Sequence, residues 1–248
     1  MSGSSGTAGH LDIGGVFEAT GDYYKRAFGT FWIVALVLLI PSAILQVILG
    51  NGGLGGLLSF IVQIVATAWL AGAVIRIVQD IHGDGQVDYS IGELLGSVWP
   101  RLLAIIGLQI LLAIIIGIGL FLLIIPGVIL ALILVVSLPA LIVEDAGVFD
   151  SMSRSADLTK DNRMRILGVG ILMILILIGI GIIAGLLSAI TPVLGAIVGL
   201  VLGILLYPYI SMLTAVLYFR LVELKEGGVV AVEETVIIEE DAGPPPAV

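Results

Sequence analysis

Three long uncharged stretches, separated by short polar segments, dominate the pattern of this chain. They cover residues 27–75, 102–143 and 166–219, and are 49, 42 and 54 residues long. One helical crossing of a bilayer needs about 20 apolar residues, so each stretch is long enough for two. A backbone inside a bilayer must satisfy its own hydrogen bonds, which favours two antiparallel helices joined by a tight turn. The pattern therefore predicts an all-α, polytopic membrane protein with six transmembrane helices arranged as three hairpins.

Residues that break helices or adopt positive φ mark a turn within each stretch. The first stretch contains NGGLGG at 51–56, the second contains IPG at 125–127, and the third contains TPVLG at 191–195. Glycine, proline and asparagine are typical of such turns. We therefore expect the three hairpins to reverse direction at these segments.

Each predicted hairpin follows a short polar segment with helical periodicity. In the first segment, Val16, Thr20 and Tyr24 share one face, and charged side chains lie opposite. The second segment, SIGELLGSVWP at 90–100, begins with a capping box formed by Ser90 and Glu93. These segments predict amphipathic helices in the cytoplasmic interface, with the charged face toward water and the apolar face toward lipid or the bundle.

The third polar segment is EDAGVFDSMSRSADLTKDNRMR at 144–165. Its charged face is predicted to carry an i, i+4 ladder that starts with Asp150 and Arg154. The repeat is then an amphipathic helix followed by a hairpin, at about 11–80, 90–143 and 146–224, in one membrane domain at 1–224. The acidic, proline-ending segment at 225–248 is predicted to be a disordered cytoplasmic tail. The predicted apolar face of the third helix comprises Val148, Phe149, Met152, Ala156 and Thr159.

Composition and charge add an orientation. Of the 248 residues, 59% are hydrophobic and only 12% are charged, whereas soluble domains have about 25% charged residues. All ten Lys and Arg residues lie outside the uncharged stretches, at one end of the predicted bundle. Basic residues are retained on the cytoplasmic side of a membrane, so that end and both termini are predicted to be cytoplasmic.

The predicted spans offer little chemistry. They contain no Asp, Glu, Lys, Arg or His, which disfavours proton-coupled transport, because such relays need ionisable groups inside the membrane. No nucleophile–base pair or metal-ligand cluster is evident, so we predict no catalytic residue, no metal site and no cofactor. The remaining polar groups either line a midplane cavity or form hydrogen bonds between helices. They are Gln46, Gln63, Gln109, Tyr207 and Tyr209.

Two further sets of residues are candidates for contacts. Basic side chains near the fifth span are positioned to meet anionic lipid headgroups or a cytoplasmic or membrane protein partner. They are Arg154, Lys160, Arg163 and Arg165. Glycines at close spacing predict tight helix packing in the third hairpin, within one chain or between two copies. They are Gly181, Gly185, Gly195, Gly199 and Gly203.

Three stretches of this chain resemble a known family. They are PALIVEDAGVFDSMSRSADLTKDNRMRILG at 139–168, LDIGGVFEATGDYYKRAFGTF at 11–31 and LLIIPGVIL at 122–130. They are similar to a six-span prokaryotic membrane family related to the membrane domain of glycerophosphoryl diester phosphodiesterases. The resemblance implies the plasma membrane of a prokaryote. It also implies an RS-x-x-L-T-K-x-N element, here Arg154, Ser155, Leu158, Thr159, Lys160 and Asn162, with Asp161 where the family has glycine.

Phosphodiesterase activity is not expected from the resemblance. The resemblance implies that catalysis resides in a separate soluble barrel with histidine and acidic metal ligands, and the 24-residue tail does not hold one. Two functions stay open. The first is a non-catalytic scaffold or regulatory protein whose cytoplasmic face contacts lipid or protein. The second is a carrier or permease for an uncharged or amphipathic, lipid-like solute. No nucleic acid partner is predicted.

Overall fold

Helices make up almost all of the chain in a computed structural model that describes residues 10–49, 52–85 and 87–241. No strand occurs in these ranges, and a single 3-10 turn, Trp99–Arg101, links the fourth and fifth helices. The helices are α1 (Ile13–Arg26), α2 (Phe28–Leu49), α3 (Gly53–Asp84), α4 (Ile91–Val98), α5 (Leu102–Leu122), α6 (Ile124–Leu134), α7 (Ser137–Val143), α8 (Val148–Thr159), α9 (Arg163–Ile190) and α10 (Pro192–Asp241).

Six segments of the described chain are long and apolar enough to cross a membrane, which confirms the predicted all-helical, multi-pass class. The third segment joins α4 to α5 through the 3-10 turn, and the fourth joins α6 to α7. The segments are Phe28–Leu49, Gly53–Gly83, Ile91–Leu122, Ile124–Val143, Arg163–Ala189 and Leu205–Gly227.

Successive membrane helices pack against each other in three pairs: α2 with α3, α5 with α6, and α9 with α10. The breaks between partners are short. Gly53 adopts a positive φ of 55°, and Leu123 and Thr191 are single extended residues. Pro126 lies in the first turn of α6, and Pro192 is the first residue of α10. The N–H groups of a first turn have no acceptor within the helix, so proline costs no hydrogen bond there. The breaks lie at or beside the three predicted turn segments.

Two glycines allow α5 and α6 to approach closely after the turn at Leu123. A Cβ added to Gly127 would lie 2.4 Å from the backbone nitrogen of Leu120, and one added to Gly119 would lie 2.9 Å from the Cα of Gly127. Real side chains do not reach such distances, so the backbones touch only because both positions lack a Cβ. The α5–α6 contact therefore depends on glycine at both positions.

The central helices of the bundle are α3 and α10. In the most apolar 18 residues of α3, half of the residues are buried, compared with at most 18% in the equivalent stretches of the spans that contain α2, α5 and α9. Small and branched side chains such as Ala73, Val74 and Ala215 fill the space between the central helices and their neighbours. The weakly buried helices present isoleucine and leucine outward, as expected for surfaces that face hydrocarbon.

Helix α10 is described as far as Asp241, and the disorder that composition predicts for 225–248 stays a prediction. No proline follows Pro208 until Pro244, so every residue between them retains the backbone N–H that a helix needs. Residues 242–248, which contain the proline run of the predicted tail, lie outside the described residues.

Candidate functional site

Charged side chains of distant helices meet at one end of the bundle. Arg76 on α3 lies near Asp145, Arg154 on α8 pairs with Glu226 on α10, and the His82 side chain lies 3.6 Å from Glu223. These contacts join residues 69 to 141 positions apart in the chain. The charged end is therefore a tertiary arrangement and is the candidate site of this protein.

Two adjacent carboxylates in the α7–α8 loop hold four elements together. Glu144 Oε1 accepts hydrogen bonds from Arg154 Nε and from the hydroxyl of Tyr218 on α10, both at 2.6 Å. Asp145 Oδ1 lies 2.9 Å from Arg101 Nη2 in the 3-10 turn and 3.6 Å from Arg76 Nη2 on α3. We call this set the carboxylate clasp. It comprises Glu144, Asp145, Arg76, Arg101, Arg154 and Tyr218.

The backbone of the α7–α8 loop also takes part in the clasp. Asp145 has a φ of 54°, the one positive φ of a non-glycine residue in the described ranges. Aspartate tolerates this left-handed conformation better than most residues. Arg101 Nη1 donates to the carbonyl oxygen of Ala146 at 3.3 Å, next to its ion pair with Asp145. The loop is therefore fixed through both its side chains and its main chain.

Arg154 is bound by two carboxylates from other elements, Glu144 and Glu226. Partial burial disfavours the charged guanidinium, but the hydrogen bonds with Glu144 and Glu226 outweigh it and hold the pKa of Arg154 above its ordinary value. The predicted ladder with Asp150 is not among the described ion pairs of Arg154. Arg154 is partly enclosed, and its two carboxylate partners come from the α7–α8 loop and from α10. An ion pair with the exposed Asp150 would be screened more strongly by solvent and would stabilise the helix less.

Helix α8 buries a small polar face that lies beside the predicted apolar face. Ser151, Ser155 and Thr159 are buried beside Leu158, whereas Phe149 is 75% exposed. The i, i+4, i+8 spacing of the three hydroxyls is the signal that a hydrophobicity pattern overlooks, because serine and threonine count as polar. Of the predicted apolar face, Thr159 is buried, and Val148 and Met152 are half-buried against the core.

Ser155 satisfies the backbone at the break between α6 and α7. Its hydroxyl donates to the carbonyl oxygen of Ile133 at 2.7 Å and accepts from the backbone N–H of Val136 at 3.2 Å. Pro139 in the first turn of α7 has no N–H to donate, and the helix is interrupted at 135–136. The Ser155 side chain thus replaces helical partners that the break removes.

Asn162 and Arg165 hold the chain segment that leads into α1. The Leu11 N–H donates to Asn162 Oδ1 at 3.0 Å, and Arg165 Nη1 donates to the Leu11 carbonyl oxygen at 2.6 Å. Leu11 and Asn162 are both buried. The start of α9 is therefore tied to the start of α1, across 151 positions of the chain.

The four basic candidates from the sequence fall into two groups. Arg154 and Arg165 bind groups of this chain, as described above. Lys160 is exposed, and Arg163 is half-buried with an Nε that is enclosed and has no hydrogen-bond partner among the described atoms. Only Lys160 and Arg163 are left to interact with molecules outside the chain.

Three of the five polar groups predicted near the membrane midplane contact neighbouring helices. The Tyr207 hydroxyl donates to the Thr67 carbonyl oxygen at 3.1 Å. Gln63 Oε1 accepts from the Ser42 hydroxyl at 3.2 Å, and the ring of Tyr209 meets that of Tyr24 edge-on at 5.7 Å. Membrane helices are commonly held together by such hydrogen bonds and ring contacts. Gln109 is half-buried on α5, and the side chain of Gln46 is outside the described set.

The predicted glycine contacts are only partly observed. A Cβ on Gly195 would lie 2.0 Å from the Ser188 hydroxyl oxygen, so α9 and α10 approach closely there. Gly181 and Gly185 are exposed, and an added Cβ would meet no described atom within 4 Å. The side-chain surroundings of Gly199 and Gly203 are outside the described set. Close packing of α9 with α10 is thus shown at Gly195.

The charged end holds no cluster of three or more potential metal ligands in the described ranges. Glu144, Asp145 and Arg154 already have partners within the chain. The arrangement is therefore suited to holding helices in place.

Glu144→Gln removes the negative charge that pairs with Arg154 and should lower the free energy of unfolding. We expect a loss of only about 1 kcal/mol, because both side chains are partly exposed and solvent screens their attraction. The loss should shrink at high salt. Unfolding in mixed micelles, followed by circular dichroism at low and high salt, measures both effects. Glu18→Gln, at an exposed position of α1, is the matched control. An equal loss in both variants would contradict the role given to Glu144.

Comparison with known proteins adds no relative to this description. No family model, no curated protein and no solved structure matches the chain. The resemblance carried by residues 11–31, 122–130 and 139–168 thus stays a prediction from those residues. The geometry of the charged end is the basis for the function proposed next.

Proposed function

We propose that this chain is a non-catalytic integral membrane protein that presents a rigid, charged face to lipid headgroups or to a partner protein. The observation that carries the proposal is the carboxylate clasp, which uses Glu144 and Asp145 to join α3, α8, α10 and the 3-10 turn. Side chains held in this way by partners on several elements give the charged end rigidity. A fixed surface is what a scaffold needs.

The finer topology belongs to the same proposal. The three packed pairs of spans are hairpins, and α1, α4 and α8 lie in the membrane interface before them. The charged end is cytoplasmic because it holds the basic residues, and the membrane is the plasma membrane of a prokaryote, as the resemblance implies. Exposed carboxylates such as Glu18, Asp22 and Asp150 supply the charge of the contact face.

Single-cysteine cross-linking tests the proposal, since the chain has no cysteine of its own. A photoreactive maleimide is attached at Ser153→Cys, an exposed position on α8, or at Leu54→Cys, exposed at the opposite end of the bundle. We expect adducts of defined mass with a headgroup or a protein at position 153 and only acyl-chain adducts at position 54.

Two results would contradict the proposal. One is the same set of adducts from both positions, because the charged face would then have no selective contact. The other is solute transport by the purified protein in liposomes that is unchanged when the exposed charges of α1 and α8 are reversed. That result would favour the carrier, whose solute would move through the bundle without using the charged end.

A further inference from the structure

Basic side chains near the start of α9 lack carboxylate partners. Lys160, Arg163 and Arg165 form no ion pair with any residue in the described ranges, whereas five other basic residues do, namely Lys25, Arg76, Arg101, Arg154 and Arg220. Arg165 is engaged with the Leu11 carbonyl oxygen. Positive charge at the α8–α9 turn is thus left uncompensated on Lys160 and Arg163.

Arg163 has a guanidinium that no described residue pairs with. Its Nε is enclosed and out of reach of a ligand, but the residue is half-buried, so part of the guanidinium stays accessible. A cation without a counter-ion in its own chain favours an anionic partner from outside. Because the group is a guanidinium, an oxygen of a phosphate is the acceptor that fits it best.

Met164 places the α8–α9 turn at the edge of the hydrocarbon. Its side chain is 79% exposed at the first residues of the span Arg163–Ala189. A large apolar side chain that is exposed at the start of a membrane helix marks the depth at which acyl chains begin. Lys160 and Arg163 lie four positions and one position before Met164, so their long side chains can reach lipid phosphates when Met164 meets the acyl chains.

A cavity lies beside this turn, between it and α10. Its volume is about 210 Å³, and its wall includes Asp161 and Asn162 but neither Lys160 nor Arg163. Lys225 lies in its wall and adds positive charge, although its Nζ also donates to the Asp157 carbonyl oxygen. Asp161 is the opposing carboxylate in the same wall, so its charge weakens the attraction for a phosphate.

We propose that the α8–α9 turn binds the phosphate of an anionic phospholipid through Lys160 and Arg163. The inference rests on the proposed function, because it takes the charged end as the end that faces headgroups. It goes further by assigning the ligand class and by separating these two residues from Arg154 and Arg165, which hold the fold.

Lipid titration of the full chain, followed by native mass spectrometry, tests this site. The probes are phosphatidylglycerol, which is anionic, and phosphatidylcholine, which is zwitterionic. We expect Lys160→Gln to weaken phosphatidylglycerol binding about fivefold and Lys160→Gln/Arg163→Gln about thirtyfold, with phosphatidylcholine unaffected. Asp161→Asn should strengthen phosphatidylglycerol binding about fivefold, because it removes the opposing charge. Millimolar inorganic phosphate should not displace the lipid.

The matched control is Lys25→Gln, an exposed basic residue on α1. Native-like phosphatidylglycerol binding by Lys160→Gln would overturn the proposal, and its exposed side chain keeps loss of folding from explaining the result. An equal loss in Lys25→Gln, or full displacement by inorganic phosphate, would also overturn it. A protein cross-linked at Ser153→Cys together with unchanged lipid selectivity would reject this site and leave the proposed function standing.

Discussion

Replacing Ser155 by alanine should lower the free energy of unfolding by about 2–4 kcal/mol, the largest effect expected for one side chain in this protein. The side chain is fully buried and supplies both an acceptor for the Val136 N–H and a donor to the Ile133 carbonyl oxygen. Alanine leaves the Val136 N–H without this acceptor, and the Ile133 carbonyl oxygen keeps only the longer, 3.4 Å hydrogen bond from the Thr159 hydroxyl. Both backbone groups lie in a candidate membrane span, where water cannot replace the lost hydroxyl.

Ser153→Ala is the matched control for this change. Ser153 lies on the same helix and carries the same hydroxyl, but it is exposed. Titration of the protein in mixed micelles with a denaturing detergent, followed by circular dichroism, compares the two variants with the original chain. A shared, small shift of the two midpoints would contradict the bridging role of Ser155. A loss restricted to Ser155→Ala would support it.

The second large effect is expected for Gly127→Ala, which should destabilise the protein by about 1–3 kcal/mol through overpacking. The added Cβ would lie 2.4 Å from the backbone nitrogen and 2.6 Å from the Cα of Leu120. Backbone atoms of a helix cannot rotate away as a side chain does, so α5 and α6 must move apart. That movement reduces the packing between them.

Gly117→Ala on α5 is the control, because an added Cβ there meets no described atom within 4 Å. Its effect should stay within about 0.5 kcal/mol of zero, as for surface substitutions in general. The same detergent titration measures both variants. If Gly127→Ala were as stable as Gly117→Ala, the close approach of α5 and α6 would be wrong.

The polar segment at 144–165 thus has two kinds of residue. Arg154, Ser155 and Asn162, which the family resemblance singles out, each bind groups of this chain and fix helices or the α6–α7 break. Lys160 belongs to the same resemblance but is exposed. The segment therefore stabilises the fold through Arg154, Ser155 and Asn162, and Lys160 stays available for contact with lipid or with a partner.

Local pattern determined the class of this protein and much of its course. Uncharged runs of 42 to 54 residues predict paired membrane helices, since a bilayer admits no unpaired backbone. The capping box is equally local. Ser90 Oγ accepts from the Glu93 N–H at 3.4 Å, and Glu93 Oε2 accepts from the Ser90 N–H at 3.0 Å. Such features depend on residues a few positions apart.

Only the tertiary structure decided which polar side chains are structural and which are free. Arg154 and Lys160 look alike in the sequence, yet two carboxylates from other elements enclose the first and none pairs with the second in the described ranges. The partners of Asn162 and Asp145 lie up to 151 positions away. Pairing over such separations depends on which helices become neighbours, and hydrophobic periodicity within one helix carries no information about that choice.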